Sequence, residues 1–503
     1  LAITFIKSLI SVWLERPARW TILLIGVAIL LILTVSAFIP INVIGPFDAR
    51  TYEPVKGVRV EFSPAGAAVE PVTALAHVIT EAPDIRAAAI SISLWILGLA
   101  GCTVAMVKLY KNRWKANRQV IISGLSAMGI GLFVLAVYGF FSILVRIPNW
   151  RAISDDPNIV LAELHTHTYS SHDGLISAWG SLRWHAQRGN DVVAVIRHYS
   201  PKGRADAAAL TMAASDNSLP AILFGVERKL KYLGYIIALD TKEHPEITPV
   251  NSTFISRFHQ NCQGVVLASM SKLKPGMAEN FVKCGIDGFD VACDGHPTIS
   301  SALHKEVLAA ADANQLPMVA WTDWHGIGCI LRTWTAIRVH NAAALSREQR
   351  AEAVLNVLRR HERANIIPIV IGQMHAVSPV PVIFAPFIEG LRYALSLSPM
   401  RVLAWWVWGI ALFLAATGLM HLGIHPARLI LAAALMIMGT AVIIEGARLI
   451  IAHFSGHAPY FFPFQTGLES LAIGITAVIS GIISGFYAVI RRQKRNADIV
   501  TVN

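Results

Sequence analysis

Ile159-Val160-Leu161-Ala162-Glu163-Leu164-His165-Thr166-His167 is an apolar run that ends in His-x-His. Side chains alternate along an extended chain, so both imidazoles leave it on the same side. His172 and Asp173 follow closely. The arrangement recurs downstream. Asp191–Ile196 ends in Arg197-His198, Ala221–Val226 ends in Glu227, and Pro317–Trp321 leads into Thr322-Asp323-Trp324-His325-Gly326. Asp-x-His projects a carboxylate and an imidazole to one side, as His-x-His does two imidazoles. Such mixed sets suit zinc, manganese or iron and are typical of hydrolytic metal sites. The candidate ligands are His165, His167, His172, Asp173, His198, Glu227, Asp323 and His325, for one or two divalent metal ions.

Four more apolar runs lie between and beyond these, at Tyr235–Leu239, Gly264–Ala268, Gly288–Ala292 and Ile366–Ile371. Amphipathic stretches separate the runs, at Ile176–Arg188, Arg204–Ser215, Ser300–Ala313 and Ser346–Arg363. Strand–helix alternation of this length predicts an α/β barrel or a wound sheet, with the chemistry at the carboxyl ends of the strands.

This segment sits inside a very apolar chain. Of 503 residues, 54% are hydrophobic and only 15% charged, well below the roughly 25% of soluble domains. Mean hydropathy is +0.53. A spanning helix needs about 20 mostly apolar residues. Six stretches are expected to qualify: Trp20–Pro40, Ala87–Val107, Val120–Val145, Val402–Leu422, Leu429–Phe454 and Leu468–Ile490. The net charge is +11, but residues 150–375 hold 22 Lys+Arg against 21 Asp+Glu. The positive excess therefore flanks the membrane segments and signals topology; no nucleic-acid partner is expected.

The organisation expected is an interfacial helix over 1–19, three spans in 20–149, a metal-binding domain over 150–375, an interfacial linker over 376–400, three spans in 401–490 and a basic tail over 491–503. Lys108, Lys111, Arg113, Lys115 and Arg118 sit between the second and third spans, and Arg491, Arg492, Lys494 and Arg495 follow the last. The loop Ser455–Gly467 has no Lys or Arg. By the positive-inside rule this is a multi-pass cell-membrane protein with both termini cytoplasmic and the metal-binding domain outside. Glu445 and Arg448, three residues apart, read as an ion pair along the fifth span. Ser480, Gly481, Ser484 and Gly485 form a small-residue face for helix packing, inside the chain or toward a membrane-protein partner. No span carries the charged relay of an ion-coupled transporter. Cys262, Cys284, Cys293 and Cys329 permit up to two disulfides.

The motif set resembles the polymerase-and-histidinol-phosphatase (PHP) superfamily of metal-dependent phosphoesterases. Glu163-Leu164-His165-Thr166-His167-Thr168 with Ser171-His172-Asp173-Gly174 looks like that family's first motif, Val195-Ile196-Arg197-His198 its second, Gly225-Val226-Glu227 its third, and Thr322-Asp323-Trp324-His325-Gly326 its last. The resemblance implies a distorted, TIM-like α/β barrel of seven strands, here joined to an α-helical transmembrane bundle. It implies one metal on His165, His167, Glu227 and Asp323, and another on His198 and His325 with Asp173 or His172. The chain departs from the family at Tyr235 and Ser269, where imidazoles are usual, and at Arg197, where an Asp is common.

The expected function is a membrane-anchored phosphoesterase acting on a phosphorylated small molecule or a lipid-linked phosphate. Asp323 and His198 would carry catalysis. Arg197, with Lys229 or Lys231, would neutralise phosphate oxygens. The alternative is a catalytically reduced metal-binding module, a sensor or a subunit of a membrane complex, which the changes at Tyr235 and Ser269 favour. The linker holds Pro379, Pro381 and Pro386 and is too broken to span, so it would lie on the membrane surface among lipids.

Overall fold

The structure, a computed structural model, describes residues 17–39, 44–80, 85–111, 118–147, 149–198, 216, 218–230, 233–240, 254–261, 264–270, 273, 275–294, 301–328, 331–372, 384–422, 424 and 426–500. The expected helix Arg204–Ser215, nearly all of the expected interfacial helix 1–19 and the linker's first part, 376–383, lie outside these residues.

The eight apolar runs are all strands: β4 (Ile159–His167), β5 (Val192–His198), β6 (Ala221–Leu230), β7 (Gly234–Asp240), β8 (Val265–Ser269), β9 (Gly288–Cys293), β10 (Met318–Trp321) and β12 (Ile366–Val370). With β1 (Phe47–Asp48) and β11 (Thr333–Arg338) they make one sheet in the order β1-β12-β11-β4-β5-β6-β7-β8-β9-β10. Seven of them, β4, β5, β6, β8, β9, β10 and β12, run in the same sense, while β7 and β11 are antiparallel to both neighbours. A second, two-stranded sheet pairs β2 (Val58–Phe62) with β3 (Trp150–Ser154).

The large sheet curls until its last strand meets its early ones. β10 joins β11 through hydroxyls rather than a backbone ladder. The Thr335 hydroxyl donates to the Ala320 carbonyl at 2.6 Å and accepts from the Ala320 N–H at 2.9 Å, and the Thr333 hydroxyl donates to the Trp321 carbonyl at 2.8 Å. Thr166 at the end of β4 bridges Trp324 just beyond β10. The half-barrel so formed is covered by helices that the sequence marks locally. Ala178–Gln187 starts at the N-cap Ser177, and Arg347–Arg359 starts at Ser346, whose hydroxyl and Gln349 form a capping box. Val354, Leu355 and Leu358 of the latter join the fully buried core with Val192, Ala194, Leu223 and Leu267.

Among the described residues five helices, not the expected six, are long and apolar enough to span a membrane: Ala88–Lys111, Arg118–Leu144, Pro399–His421, Pro426–Phe454 and Phe461–Ile490. The first expected span is the 21-residue helix Pro17–Ala37, of which Leu23–Ala37 counts as a shorter apolar run among the described residues. Large apolar side chains such as Leu94, Leu132, Ile437 and Ile483 point out of the bundle. The last two helices pack closely. A Cβ on Gly439 would lie 2.8 Å from the Gly474 carbonyl, and one on Gly446 2.9 Å from the Gly467 carbonyl. Gly481 packs on Ala432 and Met436 of the same neighbour, so part of the small-residue face is used inside the chain.

Between the first two apolar segments the chain builds more than a loop, including the helix Glu70–Thr80. Its Glu70 accepts from Arg401 Nη2 at 2.6 Å and from the Tyr393 hydroxyl at 2.8 Å, with His77 Nδ1 at 3.0 Å; Glu70, His77 and Arg401 are completely buried. Tyr393 belongs to the helix Ala385–Ser396 in the expected linker. Cys284 carries a free thiol; Cys262 and Cys329 lie outside the described residues.

Candidate metal centre

The site lies at the carboxyl ends of β4, β5 and β6 and just past β10. β4 and β5 lose register between Glu163 and Thr166. That extra residue of β4 is a bulge, which bends a strand and re-aims its side chains. Glu163 anchors it: its Oε1 accepts the N–H of His165 at 2.9 Å and that of Thr322 at 3.0 Å, tying β4 to the segment after β10. Asp323 follows in a left-handed conformation, φ 51°, which turns the chain sharply after β10.

Two four-donor groups result, each with its ligand atoms within 4.8 Å of one another: His165, His167, Glu227 and Asp323, and His167, Asp173, His198 and His325. In the inner group His165 Nε2 and His167 Nε2 are 2.9 Å apart. Asp323 Oδ1 lies 3.3 and 3.2 Å from them, and Glu227 Oε2 3.7 and 3.5 Å. In the outer group Asp173 Oδ2 is 3.3 Å from both His198 Nε2 and His325 Nε2. The His167 ring stacks with those of His198 and His325, at 4.6 and 4.3 Å. Glu227 also reaches His198 Nδ1 at 3.3 Å, so it faces both groups. His172 joins neither group; it is 59% exposed, at the rim, with its ring 6.3 Å from Tyr460.

The electrostatics suit cations. Burial opposes a charge on His167, but hydrogen bonds to Asp323 and Glu227 outweigh it and raise the imidazole to about 10. Burial likewise works to raise Glu227 and Asp173, and their histidines prevail and hold both well below the usual carboxylate range. Two imidazole nitrogens pointed at each other across 2.9 Å, flanked by two carboxylates, need a shared cation, a proton or a metal ion. The donor set, nitrogen and carboxylate oxygen from separate strands, fits zinc, manganese or iron. Ser171 lies 2.9 Å from His167 Nδ1; an Nδ1–H donated there leaves Nε2 as the ligand atom. His325 Nδ1 is fixed in the same way by the Asp323 carbonyl at 2.8 Å.

Arg197 precedes His198 on β5, so alternation sends its side chain to the opposite face from the metal group. Lys229, two residues beyond Glu227 on the regular strand β6, is on Glu227's face. It pairs with Tyr235, over whose ring its ammonium lies at 5.7 Å, and Tyr235 pairs with Ser269. Lys231 is outside the described residues. Two buried carboxyls stand outside the expected ligand set, Glu163 at the bulge and Asp290 on β9. Burial pushes them up to about 7 and about 8.

No family model matches the sequence, and no curated protein matches it. Among solved structures the chain is similar to a protein assigned as a metal-dependent phosphoesterase from Bifidobacterium adolescentis ATCC 15703, at 15% identity over 33% of this chain and 87% of that one, TM-score 0.27. It is similar to an amidohydrolase from Chromobacterium violaceum bound to sulfate without metal, at 15% identity over 41% and 97%, TM-score 0.27. PsfC from Pseudomonas syringae PB-5123 aligns at 11% identity over 47% and 98%, TM-score 0.29.

Proposed function

We propose that the chain is a membrane-embedded, metal-dependent phosphoesterase of the PHP type, hydrolysing a phosphate ester at a centre of two divalent ions. The convergence of two four-donor groups on the shared His167, with Glu227 facing both, carries this reading. Divalent ions bound there would supply Lewis-acid charge to a phosphoryl oxygen and acidify a water. The chain's own residues supply the rest. His165, His167, Glu227 and Asp323 would hold the inner ion, and Asp173, His198 and His325 would complete the outer position around His167. Lys229 is the cation on the site's face that meets the phosphate; strand alternation favours it over Arg197.

The substrate we favour is a lipid-linked phosphate met outside the cytoplasm. In support, the rim residue His172 faces Tyr460, in the short connection between the helices Pro426–Phe454 and Phe461–Val500. The basic residues Lys108, Lys111 and Arg118, and the run Arg491–Arg495, belong to the helix ends remote in the chain from Leu144 and Tyr460, which is the arrangement an extracytoplasmic barrel requires. Membrane lipids are then the surroundings of the outward apolar side chains.

Purified protein loaded with manganese or zinc and offered phosphomonoesters and phosphodiesters, soluble and lipid-linked, tests the proposal. Asp323→Ala and His198→Ala should each reduce turnover by at least about 100-fold. Full metal occupancy with no turnover above the Asp323→Ala background would replace the enzyme reading by the second one, a metal-stabilised binding module. Tyr235 and Ser269, side by side on the site's face, favour that alternative.

A further inference from the structure

Three charged residues join the membrane helices to the barrel at one point. Arg146 follows the helix Arg118–Leu144, and Glu445 and Arg448 belong to the helix Pro426–Phe454. Glu445 Oε2 accepts from Arg448 Nε at 2.8 Å and from Arg146 Nη1 at 3.3 Å. The rest of both guanidinium groups is directed at the barrel. Arg146 donates through Nε to the Gly326 carbonyl at 2.8 Å and through Nη2 to the Leu175 carbonyl at 3.0 Å. Arg448 donates through Nη2 to the same Leu175 carbonyl at 3.2 Å and through Nη1 to the Tyr169 hydroxyl at 3.0 Å.

The recipients are the two loops that carry the outer donors. Gly326 is next to His325, and Leu175 is two residues after Asp173. The loops are also bonded to each other, Leu175 N–H to the His325 carbonyl at 2.8 Å, and the second is tied to the membrane helix by Gly328 N–H to the Ile143 carbonyl at 2.7 Å. Gly326 has φ +77°, and a Cβ there would lie 2.7 Å from Ile176, so the loop has little freedom once docked. The inner donors need no such help. His165 and His167 end β4, Glu227 is within β6, and Asp323 is held at the seam beside the Glu163–Thr322 bond.

We propose that Arg146, Glu445 and Arg448 are positioning residues for the outer metal position: the membrane helices hold Asp173 and His325 in register with His198, while the inner position assembles within the barrel alone. This rests on the two-position reading of the centre. Planar guanidinium groups suit the task, because each places fixed N–H donors on carbonyls of both loops at once. A change in the packing of Pro426–Phe454 is thereby transmitted to one of the two positions only.

The test is metal binding by full-length protein in detergent, titrated with manganese alone and with zinc alone. Wild type should bind about two equivalents. Arg146→Ala and Arg448→Gln should each keep the first with an affinity changed less than about 3-fold and weaken the second by about 10–100-fold, the usual cost of losing an outer-shell partner. The retained first equivalent is the control for folding, and Arg448→Gln carries the test if Arg146→Ala does not accumulate. Wild type holding only one equivalent would remove the two-position premise. Wild type with two and both variants with two at unchanged affinity would overturn the clamp alone. Loss of both equivalents together would make the cluster a general folding element and would also overturn it.

Discussion

The shared position of His167 makes a quantitative prediction about occupancy. His165 belongs to the inner group alone, His325 to the outer group alone, and His167 to both. Removing a direct ligand should cost at least the upper end of the 10–100-fold range seen for outer-shell partners. At free metal about tenfold above the wild-type dissociation constants, each wild-type position is about 90% filled, and a position weakened 100-fold is about 10% filled. The chain should then hold about 1.8 equivalents in wild type, about 1.0 in His165→Ala or His325→Ala, and about 0.2 in His167→Ala. Equilibrium dialysis against buffered zinc followed by elemental analysis measures this directly. Equal losses in His165→Ala and His167→Ala would refute the shared ligand, and with it the geometry that supports a two-ion centre.

Metal binding should release a proton from His167, which is raised to about 10 in the metal-free chain. Apparent affinity should therefore fall about tenfold per unit as pH drops from 10 toward the ordinary imidazole value; titrations in buffers of different ionisation enthalpy would report the proton. The sign for stability is the opposite. The raised imidazole stabilises the metal-free fold fully below about 6.5 and less as pH rises through about 10, so the melting temperature in chelator should decline from pH 7 to 10. Arg401→Ala leaves Glu70 buried without its guanidinium partner at 2.6 Å and should cost about 3–5 kcal/mol, read as a lower melting temperature in detergent. Gly439→Leu drives a side chain into the Gly474 carbonyl, 2.8 Å from the first added carbon, and should separate the last two helices, seen as a loss of folded protein after solubilisation. A single cysteine replacing the exposed Lys305, in a background without other cysteines, should react with a membrane-impermeant maleimide on intact cells if the barrel is outside.

The eight apolar runs were legible as strands because a buried strand advertises itself locally, by composition and by the polar residue that ends it. The candidate donors converge for a related reason: His-x-His and Asp-x-His set their own direction through alternation, whatever the rest of the chain does. Alternation also argues against Arg197 and for Lys229, but only once β5 and β6 are known to be regular at that point. β11 escaped the sequence reading. Its Thr-Trp-Thr-Ala-Ile-Arg has no apolar run, because its threonines serve the closure onto β10. Hydropathy found the apolar helices, five of them long enough to span among the described residues where six were expected. The pair Glu445–Arg448 was visible as neighbours on a helix. Its meaning was not, since Arg146 is about 300 residues away in sequence and Tyr169 and Leu175 nearly as far. Local patterns set which groups can bind a metal ion; bringing Asp173 and His325 together against a membrane helix is a matter of contacts between distant segments, which only the tertiary structure decides.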